Sequence, residues 1–175
     1  NFCNKIGNAS RFVLMNLEGE TINPSAQLST ADKWILSRLQ DTKANVKKHL
    51  DGYRLDLMSQ ELYEFVWHDY CDWYLELSKP LLQDDKTKAG TQAALIKVLD
   101  EMVTLLHPII PFITEEIFEQ CNTITGSGNI SLMTQSYPEV DQSLNSKDSE
   151  AEIKWLQTFI LGIRKIRGEM NIPPS

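Results

Sequence analysis

Residues 56–79 read DLMSQELYEFVWHDYCDWYLELSK. At about 100° per residue, Met58, Leu62, Phe65, Val66, Tyr70, Trp73 and Leu77 fall on one face, while Trp67, Cys71 and Tyr74 line another. A helix that is apolar on two sides belongs at the centre of a bundle. Pro80 follows. It cannot donate the helical hydrogen bond, so the helix is read as ending there.

Working outward, the hydrophobic spacing stays helical almost throughout. A first helix spans residues 1–18 and stops at Gly19, and residues 20–29, with Asn23-Pro24-Ser25, form a loop. A second helix starts near Ser29, where Asp32 three residues on completes a capping-box signal, and runs to Asp51 before Gly52. The fourth helix, 86–107, carries Leu95, Leu99, Met102 and Leu106 at steps of three and four. Pro108 and Pro111 then force a bend into a short fifth helix, 112–121. Residues 122–146 are rich in Ser, Thr, Gly and Asn and hold at most one short extended segment, ISLMTQSYP. A last helix, 147–170, contains Trp155, Phe159, Ile163 and Ile166. Helices of this length joined by short connections imply an all-α, antiparallel, up-and-down bundle forming one domain over residues 1–175.

Composition narrows the function classes. A chain of 175 residues with 42% hydrophobic and 23% charged residues is ordinary for a globular protein. No apolar run approaches the roughly 20 residues of a membrane span. Cys3, Cys71 and Cys121 are far apart and include no CxxC pair, which fits free thiols in a reducing, cytoplasmic setting. The sequons at Asn8 and Asn129 are discounted for want of a secretory signal. The net charge of −7 argues against a protein that coats DNA or RNA generally. Residues 33–54 nevertheless hold six cations against two acids, and a local basic face can bind a polyanion at physiological salt.

Catalytic signatures are missing. There is no phosphate-binding glycine loop, GxSxG or HExxH. His68, Cys71 and Asp72 share one helical turn but would need a fourth metal ligand from elsewhere. Glu115 and Glu116 point about 100° apart and read as a solvated face, and His107 before Pro108 reads as a helix-end residue. No catalytic residue, metal or cofactor is assigned to the chain.

The first helix is the unusual one. Phe2, Ile6, Ala9, Val13 and Leu17 form its core stripe. Asn1, Asn4, Lys5, Asn8, Arg11 and Phe12 share an arc of about 120° on the other side. Two readings of that arc stand. Either Phe12 packs on a neighbouring helix and the asparagines are merely exposed, or the arc recognises unstacked bases. In the second reading asparagine amides pair with base edges, Phe12 stacks, and Lys5 and Arg11 hold phosphate or a base acceptor.

Five blocks carry a resemblance that spans essentially the whole chain: NKIGNASRFVLMN (4–16), ADKWILSRL (31–39), YEFVWHDYCDWYLELSKP (63–80), LHPIIPFITEEIF (106–118) and IRKIRGEMNIPP (163–174). Together they resemble the anticodon-binding helical domain of the bacterial valyl-tRNA synthetase family. Isoleucyl, leucyl and methionyl enzymes share the bundle type, but CDWYLE followed by IRxIRxEMNI looks distinctively valyl. The resemblance implies a piece of a longer enzyme whose catalytic and editing domains lie upstream and whose coiled-coil arm lies downstream. That enzyme uses ATP with magnesium to activate valine and charge valine tRNA. It also implies that Asn4, Lys5, Asn8, Arg11 and Phe12 meet the anticodon. Gly7 departs from the family pattern, which usually has Trp or Tyr there. Either a neighbouring side chain fills the gap or the first helix is looser.

Overall fold

The computed structural model describes residues 2–126, 128 and 131–171. Its α-helices are α1 (Phe2–Leu17), α2 (Thr30–Asp51), α3 (Leu55–Glu64), α4 (Leu75–Gln83), α5 (Lys88–Leu106), α6 (Pro111–Thr125) and α7 (Lys147–Glu169). A π-helical stretch, Phe65–Tyr74, joins α3 to α4 without a break. No strand occurs among the described residues, and residues 131–138, the described part of ISLMTQSYP, contain a 3₁₀ turn at Leu132–Thr134 rather than an extended segment.

The antiparallel bundle is thus as the spacing predicts, with two corrections around residues 56–80. The first concerns register. A purely α-helical stripe would bury Trp73 and Leu77 after Tyr70. The π stretch uses i→i+5 bonds, as from the Leu75 N–H to the Tyr70 carbonyl, and so delays the stripe. Tyr74, Leu75 and Ser78 are buried instead, while Trp73 and Leu77 are only partly covered. The second concerns Pro80, which lies inside α4 rather than ending it. It and Glu76, whose carbonyl it leaves without a helical donor, are on the exposed side, where water can satisfy that carbonyl.

The central helix is α5, which buries thirteen of its nineteen residues and packs on α2, α4, α1 and α6. Its close seating depends on Gly90, where a Cβ would come 2.0 Å from the Gln27 carbonyl oxygen. Helix α6 outruns its predicted end by four residues: the hydroxyls of Thr123 and Thr125 bond back to carbonyls four residues earlier, and Gly126 caps it in the left-handed region.

Asp32 ties the bundle together. It completes the predicted capping box with Ser29, whose N–H and hydroxyl donate at 2.9 and 2.7 Å. Fully buried, it also accepts from the hydroxyls of Tyr74 (2.8 Å) and Thr91 (3.1 Å). A buried carboxylate is stable only when its oxygens are matched in this way, and here the partners come from three segments of the chain.

Candidate nucleic-acid interface

Helix α1 lies on the bundle by the predicted stripe: Ile6, Ala9, Val13 and Leu17 are buried, as is Ser10, and Phe2 is partly so. Its outward ridge carries Asn4, Asn8 and Arg11, all exposed. Arg11 forms no ion pair with any described residue, so its guanidinium is available to an incoming anion. Met15 falls between Asn4 and Asn8 in angle and is 69% exposed. Its spacing alone places it on that ridge.

Two of the predicted residues are engaged within the fold. The Lys5 ammonium donates to Asp72 Oδ1 at 2.5 Å and sits 3.9 Å from the centroid of the Trp67 ring. Trp67 stacks on Tyr63, which stacks on Phe2, so Lys5 closes an aromatic ladder running from α1 to the π-helical stretch. Phe12 is partly buried and packs against the core. The packing alternative for Phe12 therefore holds in part.

The ridge is flanked by two grooves. On one side Lys5, Asn8, Phe12, Cys71, Leu75 and Lys79 line a shallow groove of about 250 Å³. Burial pushes the Cys71 thiol up to about 11, so it is a neutral wall there. On the other side α1 and α6 enclose a groove of about 600 Å³, with Gly7, Arg11 and Leu14 facing Ile113, Ile117 and Ile124. Beyond the adjacent residues and backbone of α1 itself, no atom lies within 4 Å of where a Gly7 Cβ would stand. The gap at Gly7 is left open, not filled by a neighbour.

The rest of the basic segment does not form a free face. Arg38 bonds Asp69 at 3.0 Å and Asp41 at 3.1 Å, Lys43 is buried against Glu101, Lys47 pairs with Asp51, and Arg54 with Asp56. Four of the six cations are thereby neutralised locally. Neither of the other polar clusters converges on a reaction centre. His68 lies between Glu64 and Asp72. Glu115 is not a solvated carboxylate as predicted, since it accepts from the Leu132 N–H at 3.0 Å and anchors the following turn. His107 Nδ1 and the Thr114 hydroxyl lie 2.9 Å apart at the bend.

Residues 32–175 match the family model described as the anticodon-binding domain of tRNA ligase. The chain belongs to the tRNA-ligase anticodon-binding family. The matched span begins at Asp32, so the family assignment rests on α2–α7 and is independent of the ridge on α1. Relatives of this anticodon-binding domain align over the whole chain. It is 50% identical over 182 residues to the valine–tRNA ligase of Legionella pneumophila (strain Lens), 44% over 181 to that of Coxiella burnetii and 43% over 179 to that of Francisella tularensis. In each case the alignment covers 20% of the relative, so the chain spans about a fifth of their length. The part of the IRKIRGEMNIPP block beyond residue 171 lies outside the described residues.

Proposed function

We propose that this domain holds the anticodon loop of valine tRNA as part of a cytoplasmic valine–tRNA ligase, with ATP, magnesium and valine handled by other parts of that enzyme. The observation that carries the reading is the solvent ridge of α1, with two asparagine amides and an unpaired arginine side by side, in a chain whose full-length alignments are to valine–tRNA ligases. Asn4 and Asn8 each offer a donor and an acceptor on one planar amide, which suits a base edge. Arg11 lies between them and the α6 groove, where it can take a phosphate or a base acceptor. Lys5 and Phe12 act beneath the ridge: the first fixes α1 to the π-helical stretch, and the second supports the edge of the groove beside Asn8.

Titrating an anticodon stem-loop against Asn8→Ala and Arg11→Ala variants tests this. Each substitution should weaken binding by about 1–3 kcal/mol with the melting temperature unchanged. Arg11→Ala should also lower the salt slope by about one ion. Unchanged affinity in both variants would refute the assignment of the ridge.

A further inference from the structure

The apolar side of α7 is only half used. Ile153 is buried and Leu156 packs against the core, which docks the helix on α2. Roughly 90° around the same helix, Trp155, Phe159, Ile163, Ile166 and Met170 recur at steps of four, four, three and four. They are 67%, 54%, 42%, 56% and 66% exposed. The strip is about 22 Å long, at about 1.5 Å per residue. Outside α7, large exposed apolar side chains occur singly or in groups of at most three along the chain. Folded domains rarely leave so continuous a strip to water unless something covers it.

The strip is also built for contact. Trp155 and Phe159 stack with centroids 5.6 Å apart and planes 7° from parallel, giving a flat, pre-ordered platform. Tryptophan is among the residues enriched at the energetic centres of interfaces. Arg164 lies against Trp73 and Lys165 pairs with Glu169.

We propose that the α7 strip seats another segment of the same synthetase polypeptide, an apolar surface from outside residues 1–175. The inference rests on the reading of this chain as one domain of a valine–tRNA ligase. The relatives are about five times its length, and in a ligase of that length the polypeptide outside residues 1–175 can cover the strip. Interfaces between domains of one chain bury about 600–1,500 Å², and this strip leaves five large apolar side chains in a row open to one.

Hydroxyl-radical footprinting of the full-length ligase and of the isolated chain decides the matter. In the full-length protein, Trp155, Phe159 and Met170 should be oxidised at least about fivefold more slowly, as side chains in a desolvated interface core are, with Met133 unchanged as an exposed control. Phe159→Glu in the full-length ligase should return Trp155 to the rate of the isolated chain, with the helical circular dichroism intact. Equal rates in the two proteins would overturn the proposal. So would an isolated chain that sediments as a dimer and becomes monomeric with Phe159→Glu, because the occupant would then be a second copy. Stem-loop binding measured on the same samples separates the two ideas. Retained binding with an unprotected strip sinks this inference alone, and lost binding with a protected strip sinks the anticodon reading alone.

Discussion

Replacing Gly7 with alanine should stabilise the domain. Gly7 lies inside α1, away from both ends, and its new methyl group would meet nothing within 4 Å beyond the adjacent residues and backbone of α1 itself. With no steric penalty, the gain is the helix-propensity difference, about 0.8–1 kcal/mol, which arises mainly from the narrower unfolded ensemble. For a chain of this size that corresponds to a rise of about 2–4 °C in melting temperature. Gly7→Trp adds a second contribution. An indole lying in the groove between α1 and α6, over Ile113 and Ile117, would bury on the order of 100 Å², or about 2.5 kcal/mol. Urea unfolding and thermal melts of the three proteins, followed by circular dichroism, read both effects. The expected order of stability is Gly, then Ala, then Trp. A fall in stability with alanine would refute the open, helical environment of Gly7. An unchanged or lower value for tryptophan relative to alanine would refute the groove.

Three further outcomes follow from named contacts. Asp32→Ala removes the acceptor for Ser29, Tyr74 and Thr91; leaving buried donors unmatched should cost about 3 kcal/mol or more in urea unfolding, and Tyr74→Phe clearly less. Phe12→Ala, which opens a partly buried contact with the core, should lower the melting temperature, in contrast to Asn8→Ala on the exposed ridge. Glu150 anchors the start of α7: burial alone would raise its carboxyl, but the Ser37 hydroxyl at 2.5 Å and the Lys147 ammonium at 3.0 Å outweigh that and hold it below the 4.5 of an ordinary glutamate. A carboxylate with a lowered folded value contributes stability that is present above pH 4.5 and lost as the pH falls through the folded value. Acidification below pH 4.5 should therefore loosen α7, seen as faster hydrogen exchange in its first turns, and Glu150→Gln should flatten that dependence.

What was legible in the sequence was local. The capping box at Ser29 and Asp32, the core stripe of α1, and the order of the helices all follow from spacing within a few residues. What was not legible depended on distant partners or on a non-standard turn. The π-helical stretch shifts the buried register by a residue, which no 3.6-residue pattern could reveal, and so Trp73 and Leu77 were placed in the core. The pairing of Lys5 with Asp72 is invisible to local spacing because the two are 67 residues apart. In the basic run of residues 33–54, Arg38 and Lys43 are matched by Asp69 and Glu101, far along the chain, while Lys47 and Arg54 pair with Asp51 and Asp56 close by. The exposed strip of α7 has the periodicity of a core stripe, and only its surroundings distinguish it from one.

On the proposed function, this domain reads a valine anticodon. The most direct measurement is the affinity of the chain for the valine anticodon stem-loop against the same stem-loop with its middle base changed, at fixed salt. A base read by a good hydrogen-bonding pair should cost about 1–3 kcal/mol when replaced, so the altered loop should bind roughly tenfold more weakly. Equal affinity for the two loops, or no binding to either, would contradict it.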